Sequence, residues 1–437
     1  MSKTNTLEKN KKHNLKLYFL YKAFSWDLLF YYAISFMFLN AYKGLSAAEI
    51  IFADSFYPFF KVLFQIPATL FVERTDKKTG LIVGNIALFI YVLFVLGCNS
   101  MYIMIIGNIF MALGFVLKNL CESNLIYDSL PKAKNKQKIF SKIDGKSSAA
   151  YYILEALSCG ASGFLYNINP NIPILACLLC TLISILISHL FIAVPEDITN
   201  PDENHIKSKN TKIGFKKYIR DLKNAFKFIF TSQRLRSLIY FNAIFMAIIY
   251  LLISYRRSLL SEIGVSAQDI GLIFAALELL SSIASAATSK INKLLKNKSL
   301  TYLSLYFIFS IIISGLVVVL SIPDHIELSI VILMLAIQFL AKGPYYTLIK
   351  QYLSSFSTST MRIKIFAANN LLEGIITGII SFIGSWLLLF TDTAHASIII
   401  GCSSFTIVII LLEYMRTRVG LDPEKYTRQD IEFREVE

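Results

Sequence analysis

The sequence predicts an all-α integral membrane protein of twelve transmembrane helices, arranged as two pseudo-symmetric six-helix bundles with both termini cytoplasmic. Three observations lead there. Roughly a dozen apolar stretches of about 20 residues run through the chain, each long enough to cross the hydrocarbon core as a helix. Lys and Arg lie almost entirely in alternate gaps between these stretches, with 36 of the 43 in or at the edges of the proposed inside segments. Positive loops stay in the cytoplasm, so this bias sets the orientation. The third observation is a weak internal repeat.

Composition narrows the class first. The 437 residues are 55% hydrophobic and 16% charged, whereas a soluble chain carries about 25% charged residues. A formal charge of +14 follows from the cytoplasmic loops and does not require nucleic acid. Six cysteines, Cys98, Cys121, Cys159, Cys177, Cys180 and Cys402, are scattered through apolar segments without metal spacing and read as packing residues.

Met1 to Lys16 reads as a basic, Asn-rich cytoplasmic tail. The apolar run after it is too long for a signal peptide and lacks a small-residue cleavage site, so it is expected to remain as the first span. The spans predicted in order are 17–40, 48–72, 79–98, 101–127, 143–167, 173–194, 236–257, 267–289, 300–320, 328–350, 363–390 and 395–415. Outside gaps hold only Lys43, Arg256 and Arg257, while Lys22, Lys61, Lys118 and Lys342 fall inside spans.

The long gap 195–235 separates a first bundle, 17–194, from a second, 236–415, and residues 416–437 form a cytoplasmic tail. Within the gap, Phe215, Ile219, Leu222, Phe226 and Ile229 recur at helical spacing among Lys216, Lys217, Arg220, Lys223 and Lys227. That pattern predicts an amphipathic helix on the cytoplasmic membrane surface, tethering the two halves.

The repeat appears in two places. Residues 124–130, NLIYDSL, end the fourth span and match 347–353, TLIKQYL, at the end of the tenth. Residues 149–155, AAYYILE, in the fifth span match 367–373, AANNLLE, in the eleventh. Parallel six-span repeats are a transporter architecture, with substrate bound between the halves near the midplane.

With these features in hand, the chain resembles the major facilitator superfamily over the whole membrane region. Thr69, Glu73, Arg74, Asp76, Lys77 and Lys78 after the second span look like a degenerate copy of the family's signature loop, with both glycines replaced. An acid at a cytoplasmic helix end and nearby basic side chains can latch one conformation. The resemblance therefore implies a gate formed by Glu73, Arg74, Lys77, Lys78 and Asp128. Glu122 to Leu130, followed by Asp144 and Gly145, resembles the fourth-span ending of many bacterial transporters, some of them efflux-like. The arginine of drug exporters is missing at Asn108–Phe110, and the antiporter motif is replaced by Gly160, Ala161, Ser162 and Gly163 without proline.

A charge at the bilayer centre costs at least about 2.5–3.5 kcal/mol on insertion scales, so each needs a partner, a wet cavity or a job. Asp27, Lys61, Glu155, Glu278, Lys342 and Glu373 fall near the midplane and are the candidates for a substrate or proton pathway. Glu155 and Glu373 stand first because they occupy equivalent repeat positions; buried structural hydrogen bonding is the other reading. Asp27 lies on the first span, which the resemblance places against the cavity, with Lys61 as an alternative structural partner. Asp54 and Lys61 share a face around Pro58 and read as a gate or kink pair or as ligands. Lys118 and Glu122, four residues apart, are expected to pair on one helix face. Lys342 precedes Gly343 and Pro344, where a kink is expected, and is a candidate for binding anions.

These residues point to a secondary active transporter moving a small organic solute by alternating access, expected by resemblance to be proton-coupled and with export slightly favoured over uptake. No Walker-type phosphate loop is present, and no His-Glu-x-x-His or Gly-x-Ser-x-Gly pattern supports an enzyme. Nothing calls for a cofactor or metal. The expected setting is the plasma membrane of a bacterium, as a monomer, with the lipid bilayer, protons and a small molecule as partners and no nucleic acid. A transporter-like receptor that moves no solute is the remaining alternative.

Overall fold

A computed structural model describes residues 3–25, 27–130, 136–193, 233–295, 298–320, 323–355 and 359–418, together with the isolated positions 220, 223, 227 and 230. Among the described residues every regular element is helical: α1 Lys3–Ser25, α2 Ser35–Met37 running into a π-turn Phe38–Tyr42, α3 Ala47–Arg74, α4 Lys77–Leu96, α5 Met101–Ser129, α6 Lys136–Ile168 and α7 Asn171–Leu190. There follow α8 Gln233–Glu262, α9 Ala267–Ala286, the short α10 Thr288–Leu294, α11 Ser299–Val319, α12 Asp324–Ser355, α13 Ser359–Leu387 and α14 Thr393–Arg418. Ten of them are long and apolar enough to cross a membrane. The first and fifth expected spans are not among the ten.

The first span departs from expectation in two ways. Its helix begins at Lys3, so Lys3 to Lys16 of the expected tail are helical. Buried Asn14 holds this start in place: its amide donates to the Ile192 carbonyl (2.8 Å) and Ser129 Oγ (3.1 Å), and its oxygen accepts from Ile192 N–H (3.0 Å). The span is also broken. Helix α1 ends at Ser25, Asp27 to Ile34 are irregular, and helical structure returns only at Ser35. Within the break Phe30 holds φ of 65°, a left-handed backbone that is costly for an aromatic residue.

Chain-local chemistry explains most helix ends. Asp76, which stands where the signature loop has its second glycine, caps α4 by accepting from Thr79 N–H at 2.5 Å. Helix α8 ends in a Schellman turn. Gly264 adopts φ +80°, its N–H reaches Ser261 O (3.1 Å), and Val265 N–H reaches Leu260 O (3.0 Å).

The same loop exposes a third repeat match. Residues 44–49, GLSAAE, and 264–269, GVSAQD, are offset by 220, and both glycines have positive φ, at 78° and 80°. Each serine then caps the next helix: Ser46 Oγ accepts from Glu49 N–H and Ser266 Oγ from Asp269 N–H, both at 3.2 Å. The match sits at loop-to-helix junctions, outside the spans that carry the other two.

The described chain divides into two compact units, Met1–Leu45 with Phe59–Tyr218 and Ser46–Pro58 with Ile219–Glu437. The division passes through α3 at Pro58. The core of the second unit gathers Phe241, Phe245, Phe307 and Tyr345 from α8, α11 and α12, with the Phe245 and Tyr345 rings edge-on at 4.6 Å. Lipid tails are as apolar as these side chains, so such cores are held by close packing and polar contacts more than by removal from water. Of the expected amphipathic helix, Phe215, Ile219, Leu222, Phe226 and Ile229 lie outside the described residues. Arg220, Lys223, Lys227 and Phe230 are helical and exposed.

Candidate functional site

Polar side chains inside the membrane helices gather into clusters within each unit. In the first unit, Lys22 on α1 is the hub, although the sequence had placed it in a span without ranking it. It is 4% exposed, and its ammonium pairs with Asp144 on α6, donates to the Tyr18 hydroxyl (3.0 Å) and lies 3.9 Å from Glu122 on α5. Tyr18 in turn donates to Asp144 at 2.6 Å and to Glu122 at 3.3 Å. One cation and one phenol thus tie two carboxylates from different helices, and α1, α5 and α6 are stitched together.

Glu122 therefore has a cross-helix partner beyond the intrahelical one expected. Lys118, a turn earlier on α5, is 1% exposed, sits 5.4 Å over the Phe115 ring, and feels the charges of Glu122, Asp27 and Lys22. Asp27 stands at the broken end of α1, its carboxylate accepting from Leu28 N–H (2.9 Å). The buried Tyr151 hydroxyl hydrogen-bonds Glu155 and feels the charge of Asp27. Asp27, Lys118, Tyr151 and Glu155 thus share one electrostatic neighbourhood. Discontinuous membrane helices present backbone and side-chain groups to solutes and ions at such breaks.

At the signature loop, Lys77 pairs with Asp128 at 2.5 Å, joining the start of α4 to the end of α5. Arg74 is exposed and Lys78 half-buried, and the side chain of Glu73 lies outside the described set.

In the second unit Glu373 on α13 accepts from the amides of Asn242 on α8 and Asn369, each at 3.5 Å. Asn242 also donates to Asn369 (3.1 Å) and accepts from the Tyr345 hydroxyl (3.1 Å). The carboxylate is held by neutral amide donors from two helices. Glu278 on α9 and Lys342 on α12, separate candidates in the sequence, form an ion pair at 3.4 Å. Asp54 accepts from Ser254 Oγ at 3.2 Å. Lys61 is half-buried and makes no ion pair among the described residues.

The largest correction concerns Arg256 and Arg257, the last two residues of the expected seventh span, counted with the outside gap. Both lie within α8 and are only 3% and 9% exposed. Hydropathy ends the span at these two charges. The helix itself continues to its stop at Gly264, and that glycine with the following serine was the sequence signal for the true end. Neither cluster contains a nucleophile–base arrangement, and among the described residues no group of His, Cys, Asp and Glu could hold a metal ion.

Over residues 18–380 the sequence matches the Major Facilitator Superfamily. No curated protein matches significantly. Solved structures do. The chain is similar to the nucleoside transporter NupG, at 10% identity over 92% of this chain and 99% of that one, with a TM-score of 0.70. It is similar to a D-xylose–proton symporter at 12% identity, over 96% and 99% of the two chains, with a TM-score of 0.64. A bacterial homologue of the human lysosomal transporter Spinster follows at 14% identity, over 96% and 97%, with a TM-score of 0.62. At such identities the likeness speaks for the fold.

Proposed function

The chain belongs to the major facilitator superfamily, and from that membership we propose a proton-coupled secondary transporter that moves a small organic solute across the plasma membrane. It is a transporter rather than an enzyme. The observation that supports proton coupling is the broken first span, with Asp27 in electrostatic range of Lys118 and of Tyr151, whose hydroxyl bonds Glu155. Acid groups at a helix break, with a phenol and a buried lysine in electrostatic range, form a unit whose charge changes when a proton or solute arrives. Glu373, in its cage of asparagines, is the second proton candidate. Alternating access then has the halves proposed from the sequence, 17–194 and 236–415, exposing the path to one side at a time.

Export is slightly favoured by family analogy alone. A proton symporter is among the solved relatives cited above, and that favours uptake as a second reading. Lys77 and Asp128, which the resemblance places in the gate, support a latch at the cytoplasmic ends of α4 and α5.

The test uses liposomes carrying an internal pH dye and pools of metabolites and drugs. A transported solute moves protons with it, and Asp27→Asn, Glu155→Gln or Glu373→Gln abolishes that movement in at least one case. Silence across all pools with folded protein, or proton movement unchanged in all three variants, defeats the reading. The sign of the dye response under an imposed gradient separates uptake from export.

A further inference from the structure

Arg256 is an unusual residue for a membrane helix. It is 97% removed from solvent, being only 3% exposed, and it sits two turns before the end of α8. Its Nε donates to the Gln338 side-chain oxygen on α12 at 2.6 Å. Its guanidinium carbon lies 4.9 Å from the Phe339 ring and 5.6 Å from the Phe307 ring. One hydrogen bond and two aromatic faces from α11 and α12 therefore fix the plane of the group. Its terminal Nη2 is buried with no hydrogen-bond partner among the described residues.

The surroundings add positive charge. Arg257 is also buried, over the Phe274 ring at 5.7 Å. Lys342 lies 5.0 Å over the same Phe339 ring that carries Arg256. Arg256 feels the positive charge of Arg257 and the negative charge of Glu278, and Glu278 is shared with Lys342 at 3.4 Å. A guanidinium held rigid, desolvated and one donor short is a preorganised receptor for a negative oxygen. Leaving that donor unmatched costs the full desolvation of the group.

We propose that Arg256, with Arg257 next to it in the chain, is a subsite for an oxyanion, a carboxylate or phosphate carried by a small solute. The subsite rests on the transporter reading for its role, because it names the chemistry of the solute, but its test requires no flux. A phospholipid headgroup carries the same chemistry and is the other source to separate.

The experiment is thermal unfolding of the full chain, purified in a lipid-free uncharged detergent. Sodium acetate and sodium phosphate are titrated against sodium chloride at equal ionic strength, and phosphatidylglycerol is added in mixed micelles as a separate arm. Phosphate also stabilises proteins by exclusion from their surface, so the readout is the saturable rise relative to a variant. Arg256→Gln is expected to weaken the response by about tenfold or more, the loss of a charge-assisted hydrogen bond. Arg416→Gln, an exposed arginine paired only with Glu413, leaves it intact.

Gln338→Glu places a carboxylate against Arg256 within the chain, so its unfolding temperature at least equals that of the natural protein and its response to acetate and phosphate is lost. That variant decides the matter if Arg256→Gln does not fold. Response to phosphatidylglycerol alone keeps the oxyanion site and assigns it to lipid. No rise beyond chloride with any probe, or an undiminished rise in Arg256→Gln or Gln338→Glu, overturns the proposal. Binding without flux in liposomes keeps the subsite and defeats the transport reading, while flux of a neutral solute without any oxyanion response does the reverse.

Discussion

Replacing Lys22 with methionine removes the hub of the first-unit cluster while keeping the length and apolar stem of the side chain. The Lys22 side chain is 5% exposed, and its partners Glu122 and Asp144 are 12% and 31% exposed. The substitution therefore leaves Asp144 without its ammonium and facing Glu122 across Tyr18, while Glu122 keeps the charge of Lys118. Breaking a buried pair by removing one partner costs about 3–5 kcal/mol. Water reaching Asp144 screens part of that, which places the expected loss near the lower end, about 3 kcal/mol. At about 1.4 kcal/mol per decade this is a change of roughly a hundredfold in the folding equilibrium. The assay is equilibrium unfolding in mixed detergent micelles, following helicity. The diagnostic step is rescue: adding Asp144→Asn to Lys22→Met recovers at least half the loss, because the damage lies in the stranded anion. A loss below about 1 kcal/mol for the single variant, or no rescue, refutes the argument that this cluster is a tight buried network.

Two further predictions concern packing and capping. A Cβ on Gly343 would overlap the Ser281 carbonyl oxygen and stand 3.1 Å from Ser281 Oγ, so Gly343→Ala forces α9 and α12 apart and costs about 1–3 kcal/mol; a Cβ on Gly264 meets nothing within 4 Å, so Gly264→Ala carries only the backbone cost of its positive φ, about 1–2 kcal/mol. The same unfolding assay should show that Ser281→Gly does not rescue Gly343→Ala, because the overlapping atom is the Ser281 backbone oxygen. Asp392 caps α14, accepting from His395 N–H at 2.8 Å; partial burial works to raise its carboxyl, but the His395 hydrogen bonds and charge outweigh it and hold the group below its ordinary value. A group depressed on folding stabilises above its unfolded value and loses that contribution as pH falls through its folded value, so Asp392→Ala should cost about 1 kcal/mol near neutrality and nothing at a pH low enough to protonate the carboxyl, as two unfolding series would show.

Much of the architecture was legible because it is written in local chemistry. Hydropathy and the bias of Lys and Arg act segment by segment, so apolar runs and their flanks could be read without knowing any neighbour. The family resemblance was legible through the signature loop, and Lys77 and Asp128 from that reading do meet. Two boundaries were misread for a shared reason. Trp26 and Asp27 sit in an apolar run that hydropathy treats as unbroken, yet the helix stops at Ser25. Arg256 and Arg257 look like the end of a span, yet the helix carries them onward to the Gly264 turn.

Partnership was not legible at all. The sequence by itself determined that charges lie within membrane helices and that each had to be accommodated. Only the tertiary structure decided that Lys22 meets Asp144 across 122 residues, that Glu278 and Lys342 neutralise each other, and that Glu373 is held by asparagines. The physical reason is that insertion energy depends on a residue's own depth, which chain position sets, whereas the compensation of a buried charge depends on which helix faces it, and no segment carries that information alone.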